Sequence, residues 1–235
     1  MERLFKKYYL YILSITIIVF TTISLIVSSY YSSISLVTKD YNSIDLQGID
    51  NLMIVSHPGD EIIFGGSHLL KDNYLVVCIT CGVERELTYN FIEVMQKTKD
   101  KYIILGYPEY TNNEKDNWSN HYSNIKEDLS NIIKLKSWNT ITTHNPEGEY
   151  GSIQHKKISK IVSSININNN LYYFGKYYTK KSIVNEYDKL SQINQNILNQ
   201  KIKLLGIYKT EDYLQTEFNH IYKYEEWINY KEWSK

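Results

Sequence analysis

One short apolar run that ends on histidine and proline constrains this chain more than any other feature of its sequence. Residues 51–56 are mostly apolar, and the motif His-Pro-Gly-Asp-Glu follows at once in residues 57–61. A short apolar run is typical of a buried strand, and proline suits the first turn of a helix. We therefore predict that a strand passes into a helix here, with His57 and Asp60 at the turn between them.

Short apolar runs and amphipathic stretches continue to alternate along the rest of the chain. Further strands are predicted at residues 74–80, 101–105, 140–143 and 171–174. Helices are predicted at residues 60–71, 86–99, 119–135, 153–163, 192–205 and 213–230. This alternation predicts an α/β fold with a Rossmann-like, mostly parallel sheet and helices on both faces. No glycine-rich phosphate-binding motif is present in the sequence, so a nucleotide role has no support.

The turn after the first predicted strand has the residues of a metal site. Ligands of open α/β sheets bind at the carboxyl ends of the strands, which is where His57 and Asp60 are expected. Imidazole and carboxylate are normal zinc ligands, and a hydrolytic zinc site needs a third, for which His155 is the candidate. Taken alone, the segment fits a helix start that Asp60 caps equally well.

A set of ordered segments adds weight to the metal interpretation. The motif at residues 57–61 resembles the first motif of the PIG-L/LmbE family of zinc-dependent N-acetylglucosaminyl deacetylases, His-Pro-Asp-Asp-Glu. Residues 152–155, Ser-Ile-Gln-His, resemble the second motif of that family, His-x-x-His. Family-like pieces between the two motifs are found at residues 63–70, 74–82, 105–109 and 142–151. The resemblance spans residues 48–233.

The resemblance implies a zinc site and a deacetylase activity. His57, Asp60 and His155 would bind Zn²⁺, and Glu61 would orient a ligand from behind. Tyr150 matches a tyrosine that helps to stabilise the oxyanion in some members of the family. The implied substrate is an N-acetylated sugar or a glycoconjugate.

Four further residues are candidates for the substrate pocket. The resemblance places Arg85 and Glu109 along the sugar. His144, at a predicted strand end, and His220, in a late Phe-x-His-like stretch, could also line the pocket. A loop hydrogen bond is the alternative for His144.

Two departures from the family pattern affect proton transfer. Gly59 stands at the position of the aspartate that serves as general base, and Ser152 stands at the position of the first histidine of the second motif. Positioned acid–base groups typically contribute about 10²–10⁴-fold to rate. The chain could therefore be slow, use another base, or bind without turnover. Glu147 or Glu149 could replace the base, although a solvated loop is the expected state of both.

The N-terminal region predicts a membrane anchor. Residues 8–27 are mostly apolar and carry no charge, which is long enough to cross a bilayer as a helix. Arg3, Lys6 and Lys7 precede them, so we expect residues 1–7 to be cytoplasmic and the domain to lie across the membrane. A stalk at residues 28–47 would connect the anchor to the deacetylase-like domain at residues 48–235. A cleaved signal peptide with a secreted domain is the alternative, but the apolar run is long for one.

Charge and cysteine content argue against two other kinds of function, nucleic acid binding and cysteine-based redox or metal chemistry. The formal net charge is zero, so there is no electrostatic case for nucleic acid binding. The two cysteines, Cys78 and Cys81, lie in and directly after the predicted strand at residues 74–80, and both are expected to be buried thiols rather than a redox or metal pair. The sequence makes no prediction of the oligomeric state.

Overall fold

The computed structural model describes residues 2–33, 36–38, 40–82, 84–165, 170–209 and 212–233. The chain divides into two compact units, Met1–Leu36 and Val37–Lys235. The first unit contains helix α1 (Glu2–Ser33), whose residues Tyr8–Leu25 have a mean hydropathy of 1.8 and are long enough to cross a membrane. A signal sequence near the N-terminus meets the same criterion. The helix continues beyond residue 27, so the first part of the predicted stalk is helical.

The second unit is built from alternating strands and helices. The strands are β1 (Asn51–Val55), β2 (Tyr74–Cys78), β3 (Lys101–Ile104), β4 (Tyr110–Thr111), β5 (Glu114–Lys115), β6 (Thr140–Thr143), β7 (Leu171–Phe174) and β8 (Trp227–Asn229). The helices are α2 (Asp60–Leu69), α3 (Arg85–Thr98), α4 (Tyr122–Ile133), α5 (Ile153–Ile165), α6 (Gln195–Leu205) and α7 (Asp212–Glu217).

The central sheet has the strand order β3-β2-β1-β6-β7-β8. Its first five strands are parallel, and β8 runs antiparallel to β7 at the edge. The chain builds outward from β1 to β3 and then returns to β6 on the other side of β1, so the strand order reverses between β1 and β6. Such a switch point leaves a crevice at the carboxyl ends of the two strands, where ligands of α/β folds bind.

Two apolar layers cover the sheet, which confirms the predicted α/β class. Side chains of a strand alternate between its faces. Met53 and Val55 accordingly pack with α2, α3 and α6, whereas Leu52 and Ile54 pack with α4 and α5. Because both faces are covered, the central strands are continuous apolar runs, and this made them visible in the sequence.

The C-terminal segment differs from the prediction. Residues 213–230 were expected to be helical, but α7 ends at Glu217 and the chain turns back to form β8. Trp227 pairs with Phe174 of β7, stacks on His68 with ring centroids 3.5 Å apart, and donates its indole N–H to the carbonyl of Phe64. These long-range contacts override the local helical pattern.

The chain joins the sheet earlier than the predicted domain start at residue 48. The backbone N–H of Thr38 donates to the carbonyl of Ile104, and the N–H of Ile104 donates to the Thr38 hydroxyl. Tyr41, Ile44 and Leu46 pack against the apolar layer of α4 and α5. The second half of the predicted stalk therefore lies on the domain.

Candidate metal centre

Three candidate ligand atoms meet at the switch point of the sheet. His57 follows β1, Asp60 begins α2, and His155 lies in the first turn of α5. Asp60 Oδ2 is 3.1 Å from His57 Nδ1 and 3.3 Å from His155 Nε2, and the two nitrogen atoms are 3.1 Å apart. Ligand atoms on a tetrahedral zinc ion at 2.0–2.1 Å are about 3.3 Å apart. The three side chains therefore already have the spacing of zinc ligands.

The hydrogen bonds of Gln154 fix the tautomer of His57. The Gln154 amide nitrogen donates to the carbonyls of Glu109 and Asp116, so its oxygen Oε1 must be an acceptor. This oxygen lies 2.6 Å from His57 Nε2, which therefore carries the proton. In the neutral imidazole, Nδ1 then presents its lone pair to Asp60 and His155.

A second carboxylate fixes His155 in the same way. Glu149 Oε2 lies 2.5 Å from His155 Nδ1, and an ionised carboxylate can only accept, so Nδ1 carries the proton and Nε2 the lone pair. Lone pairs of two imidazoles and one carboxylate thus converge. They repel one another unless a cation lies among them, and this nitrogen and oxygen donor set fits zinc.

Asp60 combines the two roles that the sequence left open. Its Oδ2 accepts the backbone N–H of His57 at 2.9 Å, which closes the turn into α2, and the same atom faces the two imidazoles. Burial alone would raise the pKa of this carboxyl, but the positive charge that His155 or His57 carries when protonated holds its pKa well below the ordinary value. The carboxylate is therefore ionised and available as a ligand.

Glu149 and His144 form a buried support beneath the three ligand atoms. Glu147 is exposed as expected, but Glu149 is buried, so the expectation of a solvated loop is wrong for it. Burial would raise the pKa of Glu149, whereas His144 and His155 lower it to about 2. His144 Nδ1 lies 3.1 Å from Glu149 Oε2, and its Nε2 accepts the backbone N–H of Ser56 at 2.9 Å.

Glu61 acts on the backbone of the first motif. Its Oε2 accepts the N–H of Gly59 at 2.8 Å, and the Tyr208 hydroxyl donates to its Oε1. Burial, with a smaller contribution from the nearby Asp60 carboxylate, raises the pKa of Glu61 to about 7 despite these hydrogen bonds. Glu61 therefore holds the loop between His57 and Asp60 from behind.

The two positions that depart from the family pattern have structural roles. Gly59 has φ of +98°, and a Cβ there would lie 2.7 Å from Leu214 Cδ1. The Ser152 hydroxyl accepts the backbone N–H of His155 at 3.4 Å, at the start of α5. Both positions shape the loops that carry the ligands.

A cavity of about 520 Å³ opens over the cluster, with His57 in its wall. Its described lining residues are His57, Pro58, Glu84, Leu87, Glu109, Tyr110, Lys115, Tyr150, Tyr177, Glu217 and Phe218. Tyr150, Tyr177 and Phe218 form an aromatic side, with ring centroids 5.2–6.1 Å apart. Glu109 Oε1 lies 3.8 Å from His57 Nε2 and 3.4 Å from Lys115 Nζ. The predicted pocket residues Tyr150 and Glu109 thus share one cavity with a candidate ligand.

The other three predicted pocket residues are not among the described residues that line this cavity. Arg85 begins α3, next to Glu84 of the wall. His144 is fully buried below the ligands. His220 lies behind Tyr177, donates its Nε2–H to the carbonyl of Tyr178, and lines a second cavity of about 470 Å³.

Several solved structures share the fold of the second unit. The deacetylase Dbv21, which acts on the A40926 pseudoaglycone, matches with a TM-score of 0.56 and 11% identity over 74% of this chain and 87% of Dbv21. A deacetylase of the teicoplanin biosynthesis pathway matches with a TM-score of 0.51 and 11% identity over 70% of this chain and 86% of that chain. At these identities the likeness shows a common fold.

An enzyme of different chemistry has the same fold. GalB, the 4-carboxy-2-hydroxymuconate hydratase from Pseudomonas putida KT2440, matches with a TM-score of 0.53 and 9% identity over 74% of this chain and 84% of GalB. The fold therefore does not identify the reaction by itself.

Sequence comparison identifies a nearer relative. No protein-family model matches the chain. The uncharacterized protein L374 of Acanthamoeba polyphaga mimivirus is 36% identical over 168 residues, which cover 63% of this chain and 71% of L374. The chain therefore belongs to the same family as the mimivirus protein L374, and its second unit has the fold of the LmbE/PIG-L-like deacetylases.

Proposed function

We propose that this protein is a zinc-dependent hydrolase that removes the acetyl group from an N-acetylglucosamine-type sugar. The observation that carries the proposal is the convergence of lone pairs from His57, Asp60 and His155 beside an open cavity. The fold shared with two deacetylases supports it, and so do the family-like motifs around the ligands.

His57, Asp60 and His155 would hold the metal, which would supply a Lewis acid to polarise the amide carbonyl and activate water at neutral pH. The Tyr150 hydroxyl would donate to the carbonyl oxygen as negative charge develops there. In the reaction, water adds to the carbonyl carbon, the C–N bond breaks, and acetate and a free amine leave.

Glu109 is our candidate for proton transfer in place of the family base. Its carboxylate lines the cavity and lies 3.8 Å from His57 Nε2 and 3.4 Å from Lys115 Nζ. It would take a proton from the attacking water and return it to the departing nitrogen. A Glu109→Gln variant that binds zinc normally but loses turnover would support this role, and full activity would exclude it.

The direct test is acetate release from N-acetylglucosamine conjugates by the full chain in detergent with zinc. We expect turnover by the wild type and by His121→Ala, a histidine outside the cluster, but none by a folded His57→Ala variant. Undiminished activity of His57→Ala would contradict the proposal.

A second candidate function is glycan binding without turnover, which Gly59 and Ser152 favour because they remove two proton-transfer groups. This candidate predicts that the zinc-loaded wild type binds the sugar and releases no acetate. Restoring the family's general base needs Gly59→Asp together with Leu214→Ala, because Leu214 occupies the space beside Gly59. Activity that appears only in the double variant would favour the binder, and an active wild type would exclude it.

We further propose that α1 anchors the protein in a membrane, with residues 1–7 cytoplasmic and the domain on the opposite side. The apolar span Tyr8–Leu25 and the preceding basic residues support this arrangement. Without protease, the domain should be found in the membrane fraction. Protease added outside sealed cells should degrade it. Release of a shortened, soluble domain would instead indicate a cleaved signal peptide.

A further inference from the structure

We infer that Glu149 is a positioning residue of the metal centre, whose carboxylate determines which nitrogen atom His155 offers to the metal. The inference rests on the proposed function in taking His155 as a ligand. The sequence had indicated Glu149 only as a possible replacement for the general base.

The contacts of Glu149 leave one arrangement of protons. Its Oε2 lies 2.5 Å from His155 Nδ1 and 3.1 Å from His144 Nδ1, and its Oε1 accepts the backbone N–H of Asn145 at 2.9 Å. An ionised carboxylate accepts only, so all three nitrogen atoms must donate. His155 is thereby left with its lone pair on Nε2, the atom that faces His57 and Asp60.

His144 provides an independent check of this arrangement. Its Nε2 accepts the backbone N–H of Ser56, so its proton must lie on Nδ1, towards Glu149. The His144 and His155 rings stack with centroids 3.7 Å apart. One carboxylate thus orients two parallel imidazoles, and through Ser56 it ties the end of β1 to the loop after β6.

The loop is shaped to bring this carboxylate inward. Glu149 has φ of +50°, a conformation that residues with a side chain rarely adopt. The Asn145 side chain accepts the N–H groups of Glu147 and Glu149, and its amide donates to the carbonyls of Phe174 and Gly175. Asn145 therefore holds the strained backbone against β7.

Two other roles for Glu149 do not fit the geometry. Together with His144 and His155 it could suggest a second metal site, but the 2.5 Å contact with His155 is a hydrogen bond and is shorter than the roughly 3.3 Å between ligands of one zinc ion. The side chain is fully buried, so it does not reach a substrate in the cavity. Glu149 therefore acts through His155.

The test compares Glu149→Gln with Glu147→Gln in the full chain. Glutamine offers one acceptor oxygen and one NH₂ group, so at least one of the three N–H donors must face another donor. We expect the zinc dissociation constant of Glu149→Gln to rise 10–100-fold, as for other partners of metal-bound histidines. Glu147→Gln, the same change at an exposed position of the same loop, should leave it unchanged.

A spectroscopic readout separates positioning from general loss of structure. The ¹⁵N shifts of the His155 ring in metal-free wild type should report a proton on Nδ1 and none on Nε2, and Glu149→Gln should lose this single tautomer. Glu149→Asp, which keeps the carboxylate, should bind zinc more tightly than Glu149→Gln.

The inference is overturned if the wild-type ring carries its proton on Nε2, or if folded Glu149→Gln binds zinc as tightly as the wild type. The wild-type measurement remains decisive if Glu149→Gln does not fold. A wild type that binds no zinc would end the proposed function, and the tautomer measured on that metal-free chain would still decide the role of Glu149.

Discussion

The candidate metal centre and a second buried polar cluster, behind α2, satisfy their charges in different ways. In the second cluster, Lys201 Nζ lies 2.5 Å from Glu225 Oε1 and 2.7 Å from the carbonyl oxygen of Ile63. Glu225 also accepts the backbone N–H of Ser67. Its negative charge faces a lysine, and its hydrogen bonds link α6 to α2.

The candidate metal centre brings acceptors together instead. Asp60 Oδ2 faces His57 Nδ1 and His155 Nε2, and the protons of both imidazoles are already donated to Gln154 and Glu149, so three lone pairs point at one another. A buried polar group costs free energy unless it is paired. A buried cluster whose charges are paired within the protein stabilises the fold. Acceptors that face one another without a donor are instead the arrangement expected of a cation site.

The largest expected effect on stability concerns the buried pair of Lys201 and Glu225. Lys201→Met should lower the free energy of unfolding by about 3–5 kcal/mol, because Glu225 is left buried without its counter-charge. Lys201→Met with Glu225→Leu should recover most of this loss. Chemical denaturation measures both, and zinc stoichiometry should stay at the wild-type value in the folded variants. If Lys201→Met instead costs little stability or removes the zinc, the separation of the two clusters fails.

The next effect concerns the pH dependence of stability in metal-free protein. The folded-state pKa of Glu61 is raised from 4.5 to about 7, so the folded state binds the proton more tightly than the unfolded state. The contribution of Glu61 to the free energy of unfolding should therefore be fully present below pH 4.5. It should be lost as the pH rises to about 7, by roughly 3 kcal/mol.

The control for this pH effect is Glu61→Gln, whose amide stays neutral and can donate to the Tyr208 oxygen. Subtracting its stability from that of the wild type isolates Glu61 from Asp60 and Glu149, whose pKa values are lowered and whose contributions are lost only in more acidic solution. A flat difference between pH 5 and pH 7.5 would contradict the prediction.

A smaller effect is expected from the amide that orients His57. Gln154→Leu removes the acceptor of the His57 Nε2 proton, and zinc affinity should fall about 10–100-fold, as it does when other partners of metal-bound histidines are lost. Gln195→Leu, on the exposed side of α6, is the matched control and should bind zinc normally. Chelator competition measures both, and equal affinities would show that Gln154 does not orient the ligand.

The smallest effect concerns the backbone at the position of the missing base. Gly59→Ala should cost about 1–2 kcal/mol for the left-handed conformation, plus the contact with Leu214. Gly151 has φ of +93°, and a Cβ added there would meet nothing within 4 Å, so Gly151→Ala isolates the backbone cost. If Gly59→Ala costs no more than Gly151→Ala in thermal unfolding, Leu214 does not restrict the site.

Much of the fold could be predicted because buried parallel strands are short, continuous apolar runs. The parallel strands and most of the helices that cover them were predicted to within a few residues. The motif after β1 placed His57 and Asp60 together. The strand β8 could not be predicted, because Trp227 becomes part of a strand only through its contacts with β7 and α2.

The hydrogen-bond partners of the candidate ligands could not be predicted from the sequence. Glu149 stands among glycines and polar residues, a pattern typical of a solvated loop, and its burial depends on how this loop folds, which brings its carboxylate against His144 at one end and His155 at the other. Gln154 precedes His155, but its contact with His57 requires α5 to lie against the end of β1. Such partners follow from the tertiary structure rather than from local pattern.

The most direct test of the central claim is the metal content of the full chain, purified in detergent and supplied with zinc. We predict about one tightly bound zinc ion per chain for the wild type and for His121→Ala, and none for folded His155→Ala. A folded wild type that takes up no zinc, or a His155→Ala variant that retains it, would contradict the account.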